Sequence, residues 1–214
     1  MLSDYAAIKN GSYGKLMKAY YAKQDAEKLS GKGDTSQKLT LMKTSADSLK
    51  KSADALNYSS LWEKKKIKKK DEKTGEDIEI EDYDWDKITK AVKSFVEDYN
   101  DVVKEAGESN TKDVLRNASW MTGMTDKNSN MLAKIGITIG KGNKLELDED
   151  ALKQADISSL KTIFTGYNSF VSKISQKATG ISNAANRASA TYTNNGTYSK
   201  TDSSLTSSKI DKEV

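Results

Sequence analysis

The segment KIGITIGKGNKLELDEDALKQADISSLKTIF, residues 134–164, decides the fold class of this chain. Apolar residues alternate with polar or small ones in Ile137–Ile139 and again in Leu145–Leu147, which is the two-residue period of a β-strand with one apolar face. A tight turn between such strands needs residues that accept positive φ angles. Gly140, Gly142 and Asn143 lie between the two runs. The pattern therefore predicts a β-hairpin at about 135–147.

Helical signals follow the hairpin at once. Asp148 lies where a helix N-cap belongs, and Glu149 and Asp150 place negative charge at the positive end of the helix dipole. We therefore expect short helices at 149–155 and 157–164.

The rest of the sequence is typical of an all-helical protein. The strongest helix signal runs from about 85 to 106, where apolar residues recur every three or four positions and Gly107 follows as a terminator. The chain has no proline, which would kink long helices. Further helices are predicted at 14–30, 34–57, 111–122 (ended by Gly123), 126–134 and 167–188, after a loosely held arm at 1–13. The predicted fold class is mainly α, an elongated antiparallel helical bundle with one small β-hairpin.

The predicted helix at 34–57 carries the most regular apolar stripe. Asp34, with Gln37 three residues later, resembles a capping box that begins this helix. The stripe repeats at alternating spacings of three and four, as in a heptad, through Leu39, Met42, Ala46, Leu49, Ala53 and Leu56. It fits packing inside the bundle of its own chain, and it also fits a coiled-coil contact between chains. If chains associate here, the predicted interface residues are Leu39, Met42, Leu49 and Leu56.

A break in composition divides the chain. The basic run EKKKIKKK and the acidic run DEKTGEDIEIED are typical of a solvated charged linker, although Ile78 and Ile80 alternate with acids as in a short edge strand. The predicted organisation is a helical hairpin at 1–62, a charged linker at 63–84, a helical module with the β-hairpin at 85–188, and a polar, disordered tail at 189–214.

The composition argues against an enzyme and against a metal or cofactor site. The chain has no histidine and no cysteine, so the commonest general base, thiol nucleophile and soft metal ligands are missing. Asp126, Asn128 and Asn130 have the spacing of a calcium-loop start, but Met131 and Ile137 occupy the positions where that loop needs Gly and Glu. We therefore predict that this cluster caps a helix, and that the chain has no catalytic residue, no metal and no cofactor.

Charge and hydropathy also limit the partners. The net charge of +4 is small beside 35 basic and 31 acidic residues, which does not indicate a nucleic-acid binder. The lysine run 64–70 lacks the interleaved aromatic residues of single-strand binders, although binding to an anionic surface through this run stays an alternative. No apolar run approaches the ~20 residues needed to span a bilayer, and no signal peptide is visible. We expect Trp62, Trp85 and Trp120 to anchor helix packing or, if exposed, an interface.

Three segments together resemble one protein family. They are VKSFVEDYND (92–101), MLAKIGITIGKGNKLELDEDALKQA (131–155) and SSLKTIFTG (158–166). Their order and spacing resemble the C-terminal region of the flagellar filament-cap family, the type-two hook-associated proteins, over roughly residues 88–185. The first segment resembles that family's helix opening, the second its hairpin, and the third the short helix that follows.

This resemblance implies a non-catalytic structural protein of a bacterial flagellum. It would act by helix packing, with copies of itself or flagellin-type helical proteins as partners, at an extracellular or flagellum-associated location. A cytoplasmic location stays open because no signal peptide is visible. The alternative function is a helical adaptor or secreted binding protein unrelated to flagellar assembly.

Overall fold

The structure, a computed structural model, describes residues 33–70, 75, 77–189, 191–192 and 198–199. The predicted arm at 1–13 and the predicted helix at 14–30 lie outside the described residues. So does most of the predicted tail at 189–214, within which Thr191–Tyr192 pairs with Tyr198–Ser199 in two short antiparallel strands.

The described part of the chain is mainly helical, which confirms the predicted fold class. Its α-helices are α1 (Ser36–Asn57), α2 (Trp85–Glu108), α3 (Lys112–Lys127), α4 (Ser129–Ala133), α5 (Glu149–Gln154), α6 (Ile157–Phe164) and α7 (Phe170–Ser189). Its strands are β1 (Lys65–Lys70), β2 (Asp77–Asp82), β3 (Ile137–Ile139), β4 (Leu145–Leu147), β5 (Thr191–Tyr192) and β6 (Tyr198–Ser199). The strands pair as β1–β2, β3–β4 and β5–β6, so the described sheets are three separate two-stranded hairpins.

Helices α1, α2, α3 and α7 form an antiparallel bundle. Contacts between α1 and α7 pair Asp54 with Ser175 and Asp47 with Ser182, so the two helices run in opposite directions. Helices α2 and α3 are antiparallel neighbours joined by a short turn. Helix α3 also lies against α7, where Asn117 contacts Gly180. Each of the four helices is thus antiparallel to both of its neighbours.

The core lies along the apolar stripes that the sequence predicts. The predicted apolar residues of α2 are all buried: Ile88, Val92, Phe95, Val96, Tyr99, Val102, Val103 and Ala106. At one end of the bundle Trp62 stacks on Phe164 with ring centroids 5.4 Å apart, and its indole N–H donates to the Leu56 carbonyl at 2.8 Å. Phe95 meets Phe164 edge-on at 6.5 Å. This aromatic cluster joins α1, α2 and α6.

The predicted β-hairpin is confirmed and is fixed to α2. The Cα register pairs Ile137 with Leu147 and Ile139 with Leu145. Ile137 and Leu145 are buried in the core. The Asn100 side chain of α2 makes two hydrogen bonds to the backbone of Leu145, accepting from its N–H at 2.7 Å and donating to its carbonyl at 2.9 Å. The polar backbone of the strand is therefore satisfied where it meets the bundle.

The hairpin turn differs from the prediction at one glycine. Gly142 and Asn143 have positive φ angles, of 75° and 65°. Gly140 is extended instead, with φ −89°. A Cβ atom there would lie 2.1 Å from Glu146 Oε1, so the exposed Glu146 side chain would have to move to admit one. Beyond the turn, Asp148 caps α5 as predicted, accepting from the N–H groups of Asp150 and Ala151.

Several helix ends differ from the predictions. Helix α2 continues past Gly107 to Glu108, and α3 continues past Gly123 to Lys127. The capping box predicted at Asp34 is wrong, because Thr35 is the N-cap of α1 and accepts from the Lys38 N–H at 3.3 Å. Asp34 pairs with Lys38 at 3.6 Å and accepts hydrogen bonds from the turn between α2 and α3.

The charged linker predicted at 63–84 requires correction. Most of it forms the antiparallel hairpin β1–β2, in which Lys66 lies opposite Glu81 and Ile67 opposite Ile80. The strand suggested by Ile78 and Ile80 is confirmed. The basic run forms the other strand, and each lysine of β1 lies opposite an acidic residue or Ile78 of β2. Opposite charges that face each other across two strands stabilise a hairpin.

Candidate functional site

The predicted interface stripe of α1 lies inside its own bundle. Leu39 is 4 % exposed, Met42 is 2 % exposed, and Leu49 and Leu56 are fully buried. All four belong to the core that α1 shares with α2 and α7. The structure thus places these residues in contacts within one chain, and association through them would require α1 to leave the bundle.

The seam between α1 and α7 repeats one polar arrangement at heptad spacing. Asp47 accepts from Lys43 at 2.7 Å and from Ser182 Oγ at 2.7 Å. One heptad along α1, Asp54 accepts from Lys50 and, at 2.7 Å, from Ser175 Oγ. Asp47 bonds to Ser182 and Asp54 bonds to Ser175, so the two aspartate–serine pairs set the register in which α7 packs on α1.

The electrostatics of this seam follow from its hydrogen bonds. Burial would raise the pKa of Asp47, but hydrogen bonds from Lys43 and Ser182 outweigh burial and lower it. The pKa of Asp54 is lowered for the same reason, through Lys50 and Ser175. Both carboxylates are thus held ionised by partners within the chain, which indicates a structural role.

Because the stripe and the seam are internal, an interaction surface has to come from exposed apolar side chains. The large hydrophobic residues that are exposed are Leu41, Tyr58, Ile78, Trp120, Met131 and Tyr167. Among these, Trp120 has the widest apolar ring system, and tryptophan is enriched at binding hot spots.

Trp120 lies on the outer face of the α3–α7 pair. Its side chain is 55 % exposed. The Lys177 ammonium lies 5.6 Å from the ring centroid, which holds the indole from one side by a cation–π contact. Further along the same face Asp113 binds Arg116 at 2.9 Å and Arg187 at 3.6 Å. We call Trp120, Lys177, Arg116 and Arg187 the Trp120 face: an aromatic ring with one lysine against it and, further along, two arginines that both pair with Asp113.

The position of Trp120 could have been read from the sequence. It lies two residues after Ala118, off the stripe that Val114, Ala118 and Met121 form, so a helix at 111–122 turns it outward. Trp62, which is 1 % exposed, anchors helix packing, whereas Trp120 is exposed, the case in which the sequence leaves an interface role open. Trp85 is half-buried against the core.

A second exposed aromatic pair lies at the end of the bundle where α1 ends and α7 begins. The Gly166 N–H donates to Asn57 Oδ1 at 2.8 Å and ties the two segments together. The residues that follow, Tyr58 and Tyr167, are 68 % and 82 % exposed. This pair lies at a different end of the bundle from the Trp120 face: Tyr58 directly follows α1, and Tyr167 precedes α7.

The polar clusters that the sequence singled out serve helix ends. Asn128 is both the C-cap of α3 and the N-cap of α4, and its side chain donates to the Met124 carbonyl at 2.7 Å. Among the described residues, no group of three or more Asp, Glu, His and Cys side chains is placed to hold a metal ion. Every helix in the described ranges is too short or too polar to cross a lipid bilayer.

A depression of about 140 Å³ between α4 and α6 combines serines with a lysine, Lys134. A Ser–Lys pair can act as nucleophile and base. Here the hydroxyls of Ser158 and Ser159 both donate to Asp156, which caps α6. The two serines are therefore part of the cap of α6.

The comparisons with known proteins support the resemblance found in the sequence. The model of the flagellar hook-associated protein 2 C-terminus matches residues 109–213. This match contains the second and third resembling segments, and VKSFVEDYND at 92–101 precedes it. It also extends through the polar tail. No curated protein and no solved structure matches the chain. The match supports a structural role related to the flagellar cap, in a family that is associated with the flagellum.

Proposed function

We propose that this chain, which carries a segment of the flagellar hook-associated protein 2 C-terminus over residues 109–213, is a non-catalytic subunit of a cap-type assembly. It binds other protein subunits, either copies of itself or flagellin-type helical proteins, outside the cell at the flagellum. The observation that carries the proposal is the coincidence of the matched segment with half of the bundle, the β3–β4 hairpin and the Trp120 face.

The bundle is suited to a scaffold role. Its core runs continuously from α1 to α7, and polar contacts such as Asn100 to Leu145 hold the hairpin rigidly on α2. The buried Tyr99 hydroxyl also serves the interior, since it donates to Thr125 Oγ1 at 2.9 Å. A bundle of this kind binds partners through its surface, where an exposed tryptophan contributes more binding free energy than most other residues.

The Trp120 face is the proposed docking surface of the matched segment. A partner helix that covers the indole would bury a large apolar ring, and acidic residues on that helix would meet Lys177, Arg116 and Arg187. We also propose that the chain is organised around residues 63–84, where the β1–β2 hairpin separates the N-terminal helical part from the module at 85–188. Helix α1 lies before this division and shares one core with the helices after it.

The test is association with and without the exposed tryptophan. Sedimentation velocity over a concentration series, together with retention on immobilised purified flagellin, measures self-association and flagellin binding. We expect the Trp120→Ala variant to weaken the observed association at least about tenfold. The matched control is Tyr167→Ala, which removes another exposed aromatic ring at a different end of the bundle and should leave association unchanged.

A wild-type chain that stays monomeric at every concentration and is not retained on flagellin would exclude the cap-type role. It would favour the helical adaptor unrelated to flagellar assembly. Thermal melting of both variants accompanies the test, so that a loss of binding is not mistaken for a loss of folding.

A further inference from the structure

The β1–β2 hairpin lies outside the family match and separates charge by strand. Strand β1 has the sequence KKIKKK and strand β2 the sequence DIEIED, so one strand is basic and the other acidic. The Cα register places Lys66 opposite Glu81 and Lys68 opposite Glu79. Lys66 and Lys68 therefore each have an acidic residue beside them on the partner strand β2.

The outer side of each strand has no such neighbour. Among the described residues the sheet contains only β1 and β2, so each strand keeps one free edge. In an antiparallel pair about half of the backbone N–H and C=O groups of each strand point away from the partner. The hairpin therefore presents a basic edge and an acidic edge, both able to accept a further strand.

The charge pattern selects how two copies of this hairpin can meet. Two basic edges repel, and so do two acidic edges, since like charges directly opposite are destabilising. A basic edge and an acidic edge attract. If they meet in the register that the hairpin itself uses, Lys68 of one copy lies opposite Glu79 of the next, and the pattern within one hairpin continues across the contact.

The apolar residues of the hairpin agree with the same arrangement. Ile67 and Ile80 are directly opposite each other and therefore share one face, with Ile78 two residues along β2 on the same face. Ile78 is 40 % exposed, and the other two are half-buried. Continuation of the sheet in register would set these isoleucines side by side across the copies, which removes apolar surface from water.

We infer that the β1–β2 hairpin is a self-association element, in which the basic β1 edge of one copy adds to the acidic β2 edge of the next. The contact is head-to-tail, so it builds a ring if the rotation closes and a filament if it does not. The inference specifies one surface of the self-association in the proposed function and rests on it to that extent. It does not involve the Trp120 face.

Because the chain has no cysteine, disulfide trapping can read the contact directly. Opposite residues in an antiparallel pair have Cα atoms about 4.5–5.5 Å apart, within the range that a disulfide spans. A Lys68→Cys chain and a Glu79→Cys chain are purified separately, mixed, and oxidised mildly. Only the mixture should give a disulfide-linked dimer. The matched control is a mixture of Lys66→Cys with Asp77→Cys, which lie four residues out of register and should not cross-link.

The outcomes separate this inference from the proposed function. If the mixture does not cross-link although the wild type self-associates in sedimentation, the hairpin contact is wrong and the cap-type role stands. Cross-linking of the Lys68→Cys chain with itself would show a contact between like edges and would also overturn the inference. A wild type that is monomeric throughout refutes this inference, and it refutes the proposed function as well only if the chain is also not retained on flagellin. Raising the salt from about 50 to 500 mM should weaken the cross-link, since the contact joins exposed charges.

Discussion

Asp34 offers the sharpest test of how this bundle is held together. Its side chain is 1 % exposed, although it lies just before the first helix of the bundle. It accepts from the hydroxyls of Ser109 at 2.6 Å and Thr111 at 2.7 Å, and from the backbone N–H groups of Asn110 and Thr111 at 2.9 Å. Thr111, the N-cap of α3, makes no cap bond of its own. Asp34 thus caps α3 from a position 77 residues away.

The magnitude follows from the bonds lost. The Asp34→Ala change removes the cap of α3, which costs about 1 kcal/mol. It also leaves buried donors at the α2–α3 turn without their charged acceptor, at about 1–3 kcal/mol. We expect a total loss of about 3 kcal/mol in the free energy of unfolding, or about 6–12 °C in melting temperature for a chain of this size. Asp34→Asn keeps one acceptor oxygen and should cost about half as much.

The pH dependence provides a second, independent measurement. Burial would raise the pKa of Asp34, but the hydrogen bonds from Ser109, Asn110 and Thr111 and the charge of Lys38 lower it below its ordinary value of 3.8. The unfolded chain therefore binds more protons between the folded and unfolded pKa values. The contribution of Asp34 is complete above the unfolded pKa and is lost as the pH falls through the folded pKa. The stability difference between wild type and Asp34→Asn should be constant from pH 7 to about pH 5 and shrink below about pH 4.

Urea denaturation of wild type and Asp34→Asn across this pH range is the assay, with the exposed Asp101→Asn as the control for loss of a surface charge. Equal unfolding free energies for wild type and Asp34→Asn at pH 7 would refute the reasoning. So would a difference that does not change between pH 5 and pH 3, because the carboxylate would then not be the group that holds the turn.

Three further predictions follow from the packing. Leu145→Asp places a charge at a site that is 2 % exposed and should cost about 3 kcal/mol by urea denaturation, whereas Lys144→Asp on the exposed side should cost little. The Leu49→Glu, Leu56→Glu double variant should unfold by circular dichroism, since both leucines are fully buried; a variant that stays folded and loses only its oligomer would return the stripe to a contact between chains. Ser175→Ala and Ser182→Ala should each cost about 1 kcal/mol, and similar melting of wild type and the double serine variant would contradict their role in setting the register of α7 on α1.

Most of the elements could be predicted because their signals are local. The apolar spacing of Ile88–Ala106 and the alternation of Ile137–Ile139 with Leu145–Leu147 are properties of neighbouring residues, and α2 and the β3–β4 hairpin form where those patterns lie. Helix ends were less predictable, since glycine costs only about 1 kcal/mol inside a helix and, after Gly123, α3 continues so that Thr125 is buried in the bundle.

The site was harder to predict than the elements. The stripe of α1 was correctly identified as a surface to be buried, but an apolar period does not say which surface covers it. Helices α2 and α7 cover it within the same chain. The candidate interface is therefore formed by exposed side chains outside the apolar stripes, such as Trp120. The charged segment was predicted as a linker because composition records charge, whereas pairing of β1 with β2 depends on a register between separate runs.

The sequence by itself determined which residues are helical, where the β3–β4 hairpin forms and which faces must avoid water, since these follow from short-range spacing and the hydrophobic effect. Only the tertiary structure decided the partners of those faces. Asp34 caps a helix other than its own, and Asp47 and Asp54 find serines more than a hundred residues away, because the chain brings these groups together only once the four helices have packed.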